Sequence, residues 1–211
     1  MKIELYHYIH CPYCIRVRMA LGFLNMPWSS KVLPYSDEAT PLALTGKKML
    51  PIIKMDDQVM NESLDIIKHL DKENVLLSEN WGDFDQTLNT IAPQIFNLAM
   101  PFWVFTPEFD PASQKYFLKK KEAKRGPFSE LIKNRGIFEN EIHPLLTNLE
   151  KRLKPFWDSN SFGVRDIGLA AHLWGLFSVP EFRFSEKIHA YLMSVKELTK
   201  FNYTNFHWRE P

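Results

Sequence analysis

The feature that most constrains this chain is a pair of cysteines, Cys11 and Cys14, separated by two residues. They are the only two cysteines among 211 residues. An alternating run over residues 2–8 precedes them and predicts a β-strand, because successive side chains on a strand point to opposite faces. Apolar residues at helical spacing follow over residues 15–24. The pair is therefore expected at a junction between a strand and a helix, where a redox-active dithiol is typical.

This position favours a reactive thiolate at Cys11. With Cys11 as the N-cap and Pro12 at the first helical position, the sulfur lies beside backbone N–H groups that the helix leaves unpaired. These donors and the positive end of the helix dipole stabilise an anion. Thiols at such sites have pKa values of roughly 3.5 to 7.5. We expect Cys11 to be ionised near neutral pH and Cys14 to stay protonated and shielded, while Arg16 and Arg18 point in different directions.

Two alternatives to redox chemistry stay open at this point. A structural zinc ion needs four ligands, and no third cysteine exists, so histidine such as His10 or carboxylates would have to complete the site. Pro12 stiffens the loop against wrapping around a metal. The other alternative is a chance pair of inert cysteines. The position of the pair favours redox chemistry with no metal. His10 is expected to be an ordinary loop residue, with a role in tuning Cys11 as the alternative.

Composition excludes several classes of protein. The net charge of +1 gives no electrostatic reason to expect a nucleic-acid or membrane partner. No apolar run reaches the roughly 18 residues of a transmembrane helix. Residues 1–4 lack the features of a signal peptide, and two closely spaced cysteines do not suit a disulfide-stapled secreted protein. We therefore expect a cytoplasmic protein.

The first 72 residues predict the order β-α-β-α-β-β-α. The third strand should begin at or just after Pro51, because proline cannot donate to a sheet. The other predicted elements are a strand over 30–33 parallel to the first, a helix over 37–44, a returning strand over 58–60 and a helix carrying Leu64, Ile67 and Leu70.

The pattern changes after residue 72. Residues 73–82 lose periodicity and are predicted to be a linker. Apolar residues from Phe84 to Leu98 then recur in steps of four and three, which predicts a long helix. Pro101 is expected to interrupt the chain, and the lysine-rich run over 119–125 is expected to face solvent. Further predictions are helices over 112–125 and 138–153, a helix capped by Gly163 and Asp166, and a core completed by Trp174, Phe177 and residues 184–198.

The motifs resemble those of a known family. Cys11-Pro12-Tyr13-Cys14 is the glutaredoxin form of the cysteine pair, Leu50-Pro51-Ile52 enters the third strand, and Asn61-Glu62-Ser63 opens a helix. This part resembles the thioredoxin fold of glutaredoxins and glutathione transferases. The extension, where Tyr116-Phe117 leads into Lys120-Lys121-Glu122-Ala123, resembles two-domain bacterial glutaredoxins of the glutaredoxin 2 type. The implied architecture is a thioredoxin-like α/β domain over 1–72, a linker over 73–82 and an all-helical, glutathione-transferase-like domain over 83–211.

The resemblance implies a glutathione-dependent thiol–disulfide oxidoreductase. Cys11 would attack a disulfide or a glutathione mixed disulfide, and Cys14 or glutathione would resolve the intermediate. The implied partners are glutathione as co-substrate and disulfide-bonded or glutathionylated proteins, and the implied state is a monomer. The implied glutathione-binding residues are Pro12, Tyr13, Leu50 through its backbone, Pro51 with a cis peptide bond, and Glu62 and Ser63 at the γ-glutamyl end.

Other interpretations stay open beside this one. A glutathione transferase, which conjugates glutathione to electrophiles, needs no second cysteine, so Cys14 discriminates between the two activities. A non-enzymatic redox-responsive binding module is a third class, and an iron–sulfur role is disfavoured by Pro12. Tyr13 could instead only pack, and Glu62 and Ser63 could only cap a helix.

Overall fold

The computed structural model describes residues 2–77, 81–82 and 84–202. Its N-terminal part follows the predicted β-α-β-α-β-β-α order, with element ends close to those expected from the sequence. The elements are β1 (Ile3–His7), α1 (Pro12–Phe23), β2 (Ser29–Val32), α2 (Ala39–Thr45), β3 (Ile52–Met55), β4 (Gln58–Asn61) and α3 (Ser63–Leu70).

The four strands form one mixed sheet in the order β2-β1-β3-β4. Strand β2 is parallel to β1, as the crossover helix α1 requires, whereas β3 is antiparallel to both β1 and β4. Apolar side chains of the sheet and of α1 and α3 form a buried cluster, which includes Leu5, Val17, Leu21, Ile53 and Ile66. The predicted thioredoxin fold is confirmed.

The C-terminal part is helical. Its elements are α4 (Phe84–Trp103), α5 (Pro111–Arg125), α6 (Phe128–Lys133), α7 (Arg135–Arg152), α8 (Val164–Leu173), a 3₁₀ helix (Trp174–Ser178) and α9 (Glu186–Thr199). As expected, Gly163 is the N-cap of α8 and its N–H donates to the Asp166 carboxylate at 3.0 Å. Among the described helices, none is long and apolar enough to cross a bilayer.

The sequence predictions for Pro101 and Phe177 were wrong. Helix α4 does not stop at Pro101 but continues through Pro93 and Pro101 to Trp103. An interior proline costs a helix about 3 kcal/mol, but each large apolar side chain buried near it returns about 1.5–3 kcal/mol, and Met100 and Trp103 are both buried. Phe177 does not complete the core, because the 3₁₀ helix leaves its side chain 40% exposed.

Helix α1 is buried on all sides. It packs against α3 on the sheet side and against α8 and α9 on the helical side. Even Arg16 and Arg18 are each only 5% exposed. The core that contains Cys14 and Met19 therefore continues without a break into the helical part.

The domain boundaries stay a prediction. Asp71 ends the N-terminal part by accepting the N–H groups of Val75 and Leu76, each at 2.8 Å. The carbonyl of Leu76 in turn accepts the N–H of Val164 at 3.0 Å. Residues 78–80 of the predicted linker, and residues 83 and 203–211 of the predicted helical domain, lie outside the described residues.

The closeness of α1 to α9 can be tested at Gly22. A Cβ atom at this glycine would lie 1.7 Å from the carbonyl oxygen of Thr199, so Gly22→Ala must separate the two helices. We expect a loss of about 3 kcal/mol in the free energy of unfolding, measured by urea denaturation. Gly136→Ala in α7 is the control, because a Cβ there meets no atom within 4 Å; it should stabilise the protein by about 0.5 kcal/mol. Equal effects of the two changes would contradict this packing.

Candidate active site

The cysteine pair begins helix α1 as the sequence predicted. Cys11 is the N-cap, with extended backbone angles of φ −73° and ψ 120°, and Pro12 occupies the first turn. The Cys11 carbonyl accepts the N–H of Ile15 at 2.9 Å. Cys11 is half-buried and Cys14 is buried, and both are free thiols. One thiol therefore reaches a cavity, while the other lies in the core.

The two thiols have opposite pKa shifts. A hydrogen bond from the Cys14 side chain is the main cause that lowers the pKa of Cys11 to about 6. Burial opposes this shift, and the positive charge of His10 and the backbone N–H groups of Cys14 and Tyr13 assist it. Burial, followed by the hydrogen bond and charge of Cys11, raises the pKa of Cys14. Near neutral pH the pair therefore holds one thiolate, at Cys11, and one proton, at Cys14.

A cavity of about 220 Å³ opens beside Cys11, between the two parts of the chain. The N-terminal part contributes Cys11, Pro12, Tyr13 and Leu50 to its walls, and the helical part contributes Phe96, Met100, Trp103 and Lys121. The structure thus brings together four of the residues that the sequence predicted as site residues.

The other predicted glutathione-binding residues, Pro51, Glu62 and Ser63, are not in the walls of this cavity. The Leu50–Pro51 peptide bond is cis, as predicted. Glu62 follows Asn61, which pairs with Ile52 across the β3–β4 hairpin, so Glu62 lies near Pro51. The side chain of Glu62 is exposed and makes no capping hydrogen bond to α3, and its φ of 69° is rare for a residue with a side chain. Its carboxylate is thus available to a ligand, which argues against a role limited to capping; Ser63 beside it is buried.

Glu108 is a site residue that the sequence analysis missed. It lies between α4 and α5 and is 2% exposed. Its Oε1 accepts the N–H of Ile9 at 2.7 Å, the N–H of His10 at 3.2 Å and Nδ1–H of His10 at 2.7 Å. Burial raises the pKa of Glu108, but the hydrogen bond and charge of His10 outweigh it and hold the pKa below its ordinary value. A carboxylate of the helical part therefore fixes the loop that presents Cys11.

His10 and Lys121 also differ from their sequence interpretations. His10 is 5% exposed and its ring stacks near Tyr8 and Trp103, so it is part of the site and not an ordinary loop residue. Lys121 belongs to the run expected to face solvent, but it lines the cavity. Burial lowers the pKa of Lys121, and the charge of Cys11 opposes this shift. Within a row of lysines, no sequence signal identifies the one that turns inward.

The zinc alternative gains no support from these contacts. Nδ1 of His10 already donates to Glu108. Within residues 2–77, 81–82 and 84–202 there is no group of three or more histidine, cysteine, aspartate or glutamate side chains that could hold a metal ion.

Comparisons with known proteins agree with this fold. Residues 5–75 match the glutathione S-transferase N-terminal domain, and residues 83–205 match the glutaredoxin 2 C-terminal domain. Glutaredoxin 2 of Escherichia coli K12 is 30% identical over 95% of this chain and 97% of that protein. Glutaredoxin 2 of Salmonella typhimurium, solved in complex with glutathione, has a TM-score of 0.87 and 29% identity over 96% of this chain and 97% of that one. Glutathione transferase GSTFuA3 of Phanerochaete chrysosporium shares the fold, with a TM-score of 0.81 at 18% identity over 96% and 98%.

The pKa difference between the thiols predicts selective alkylation. In the folded protein, iodoacetamide should modify Cys11 with a rate that is half-maximal near pH 6, because the thiolate is the nucleophile. Cys14 should stay unmodified because it is buried. Mass spectrometry of peptides from pulse-labelled protein gives both rates. In urea, both cysteines should react with the pH dependence of an ordinary thiol, whose pKa is about 8.5. If Cys11 in the folded protein showed this same midpoint, its assignment as the low-pKa thiol would be refuted.

The contribution of His10 can be isolated with His10→Asn. Asparagine can still donate a hydrogen bond to Glu108 but carries no positive charge, so the pKa of Cys11 should rise above its value of about 6. Ultraviolet absorbance of the thiolate against pH measures this value. His69→Asn, near the end of α3, is the matched control and should leave the titration unchanged. An unaltered curve for His10→Asn would show that its charge does not act on Cys11.

Proposed function

This chain belongs to the glutaredoxin 2 family, and we propose that it is a glutathione-dependent oxidoreductase that reduces protein disulfides and glutathione mixed disulfides through Cys11 and Cys14. The observation that carries the proposal is the half-buried thiol of Cys11, whose pKa is lowered at the start of α1 and which lines a cavity shared with Leu50. Such a thiol can attack a disulfide at neutral pH without a separate base.

The reaction begins when the Cys11 thiolate attacks a sulfur of the substrate disulfide. A Cys11–substrate disulfide forms, and the other sulfur leaves as a thiolate. With a protein disulfide, Cys14 loses its proton and attacks Cys11, which releases the reduced protein and leaves a Cys11–Cys14 disulfide. Two glutathione molecules then reduce that disulfide in succession and become glutathione disulfide. With a glutathionylated protein, Cys11 takes the glutathione and a second glutathione removes it.

Glutathione is proposed to bind with its sulfur at Cys11. Pro12 and Tyr13 border the sulfur, and the backbone of Leu50, which precedes the cis bond to Pro51, pairs with the cysteinyl residue. The γ-glutamyl end lies at Glu62 and Ser63, where the Glu62 carboxylate is exposed to receive the ammonium group and the N-terminus of α3 favours the carboxylate. The glutathione found with the Salmonella typhimurium relative supports this ligand.

Substitution of each cysteine separates the proposed roles. Cys11→Ser should reduce turnover to background, because the attacking thiolate is lost. Cys14→Ser should keep deglutathionylation of a glutathionylated peptide but lower reduction of a protein disulfide by roughly 10²-fold or more, because intramolecular resolution is lost. Both rates are measured by coupling glutathione disulfide formation to glutathione reductase and NADPH.

The same variants distinguish this activity from that of a transferase. Conjugation of glutathione to an aromatic electrophile, followed by absorbance, should be negligible in the wild-type protein relative to deglutathionylation. Turnover by Cys11→Ser, or a rate of conjugation that exceeds the rate of disulfide reduction, would contradict the proposal. Glutathionylation of Cys11 with no turnover would identify a binding module instead.

A further inference from the structure

We propose that a second cavity, beside the one at Cys11, binds the carboxylate of an aspartate or glutamate that neighbours the reacting cysteine of a polypeptide substrate. The inference rests on the proposed function and names a substrate class for it. The second cavity has a volume of about 200 Å³ and shares Tyr13 and Phe96 with the first, so the two cavities are neighbours.

The main observation is the state of Arg16 at the wall of this cavity. Arg16 is 5% exposed, and its Nε atom is buried without a hydrogen-bond partner. Within the described part of the chain its guanidinium lies over the rings of Tyr13 at 4.8 Å and Trp81 at 5.1 Å, and the charges of Asp85 and Cys11 act on it without a hydrogen bond or ion pair. A buried cation is unfavourable unless an anion and hydrogen bonds compensate it. The two aromatic rings compensate part of this cost. The uncompensated part of the cost favours the binding of an anion that arrives with a ligand.

Helix geometry directs Arg16 toward the substrate. Tyr13 and Arg16 are three residues apart and so lie on one face of α1. Arg18, two residues further on, turns to a different cavity, where its guanidinium lies over Phe201. Burial lowers the pKa of Arg16, and Tyr13, Asp85 and Cys11, in that order, oppose this shift.

The charge balance of the cavity suits one carboxylate. Arg125 also lines it, but its Nη1 already donates to Asn97 Oδ1 at 2.6 Å. Asp85 is the acidic residue in the wall, and neither a hydrogen bond nor an ion pair joins it to Arg16 within the described ranges. Burial lowers the pKa of His172 to about 3, so its ring is neutral. Two cations and one anion give the wall a net charge of +1, and the negative charge of Cys11 no longer offsets it once Cys11 has formed the mixed disulfide.

The site has room for one acidic side chain. Its volume is about 200 Å³. A guanidinium presents parallel N–H donors that match the two oxygens of a carboxylate. An acidic side chain near the substrate cysteine fills this space and aligns the disulfide with Cys11.

The test compares two glutathionylated peptides that differ only by glutamate or glutamine beside the modified cysteine. We expect the wild-type protein to deglutathionylate the glutamate peptide with a kcat/KM about tenfold higher, as a charge-assisted hydrogen bond implies. Arg16→Met should bring the ratio of the two kcat/KM values near one, and Arg16→Lys should keep part of the preference. Lys133→Met removes an exposed cation that lines no described cavity and should keep the full ratio.

The outcomes separate this inference from the proposed function. A wild-type ratio near one, or an unchanged ratio in Arg16→Met, overturns the carboxylate site, although turnover of the glutamine peptide would still support the oxidoreductase. A higher KM for glutathione with both peptides in Arg16→Met, at an unchanged ratio, assigns the cavity to the attacking glutathione and likewise overturns the inference. Circular dichroism checks that the variants fold. If Arg16→Met does not fold, the kcat/KM ratios of the wild-type protein and of Arg16→Lys test the inference.

Discussion

The burial of helix α1 on every side is the constraint on which the rest of the structure depends. An ordinary surface helix buries one stripe and exposes the other, but α1 lies between the sheet and helices α8 and α9. Its N-terminus is the part that remains open, and Cys11 is located there. The dipole and the unpaired N–H groups of this tightly packed helix are therefore aimed at one sulfur. The helical part thus immobilises the reactive end of the thioredoxin fold.

The helical part also supplies chemistry that the thioredoxin fold lacks. Glu108 reaches the loop before Cys11 and holds Ile9 and His10 through one carboxylate oxygen. Because an ionised carboxylate can only accept hydrogen bonds, Nδ1 of His10 must be the donor in this pair. The orientation of the imidazole beside Cys11 is therefore set by a residue 98 positions away in the sequence. This contact explains why both parts of the chain are needed to build one site.

The sequence predicted the secondary-structure elements better than it predicted which side chains are buried or paired. The position of Cys11 and the order of β1 to α3 follow from local patterns, namely alternation, proline placement and a cysteine pair before a helix. The inward turn of Lys121 and the pairing of Glu108 with His10 depend on helix packing between distant segments, which no local pattern records. Pro101 was misjudged for the same reason, because its cost is local but the burial that offsets it is tertiary. The sequence therefore did not predict those features whose burial depends on contacts between distant segments.

The two cysteines are unequal because a single helical turn separates a half-buried end from a buried interior. Burial keeps Cys14 protonated, and that proton makes Cys14 a hydrogen-bond donor to the Cys11 sulfur, which is the largest influence lowering the pKa of Cys11. Cys14 thus has two roles: it activates its partner before the reaction and can resolve the disulfide afterwards. A serine at this position retains a donor but not a nucleophile, whereas an alanine loses both. The hydrogen bond to Cys11 and the attack on the mixed disulfide are therefore two separable functions of Cys14.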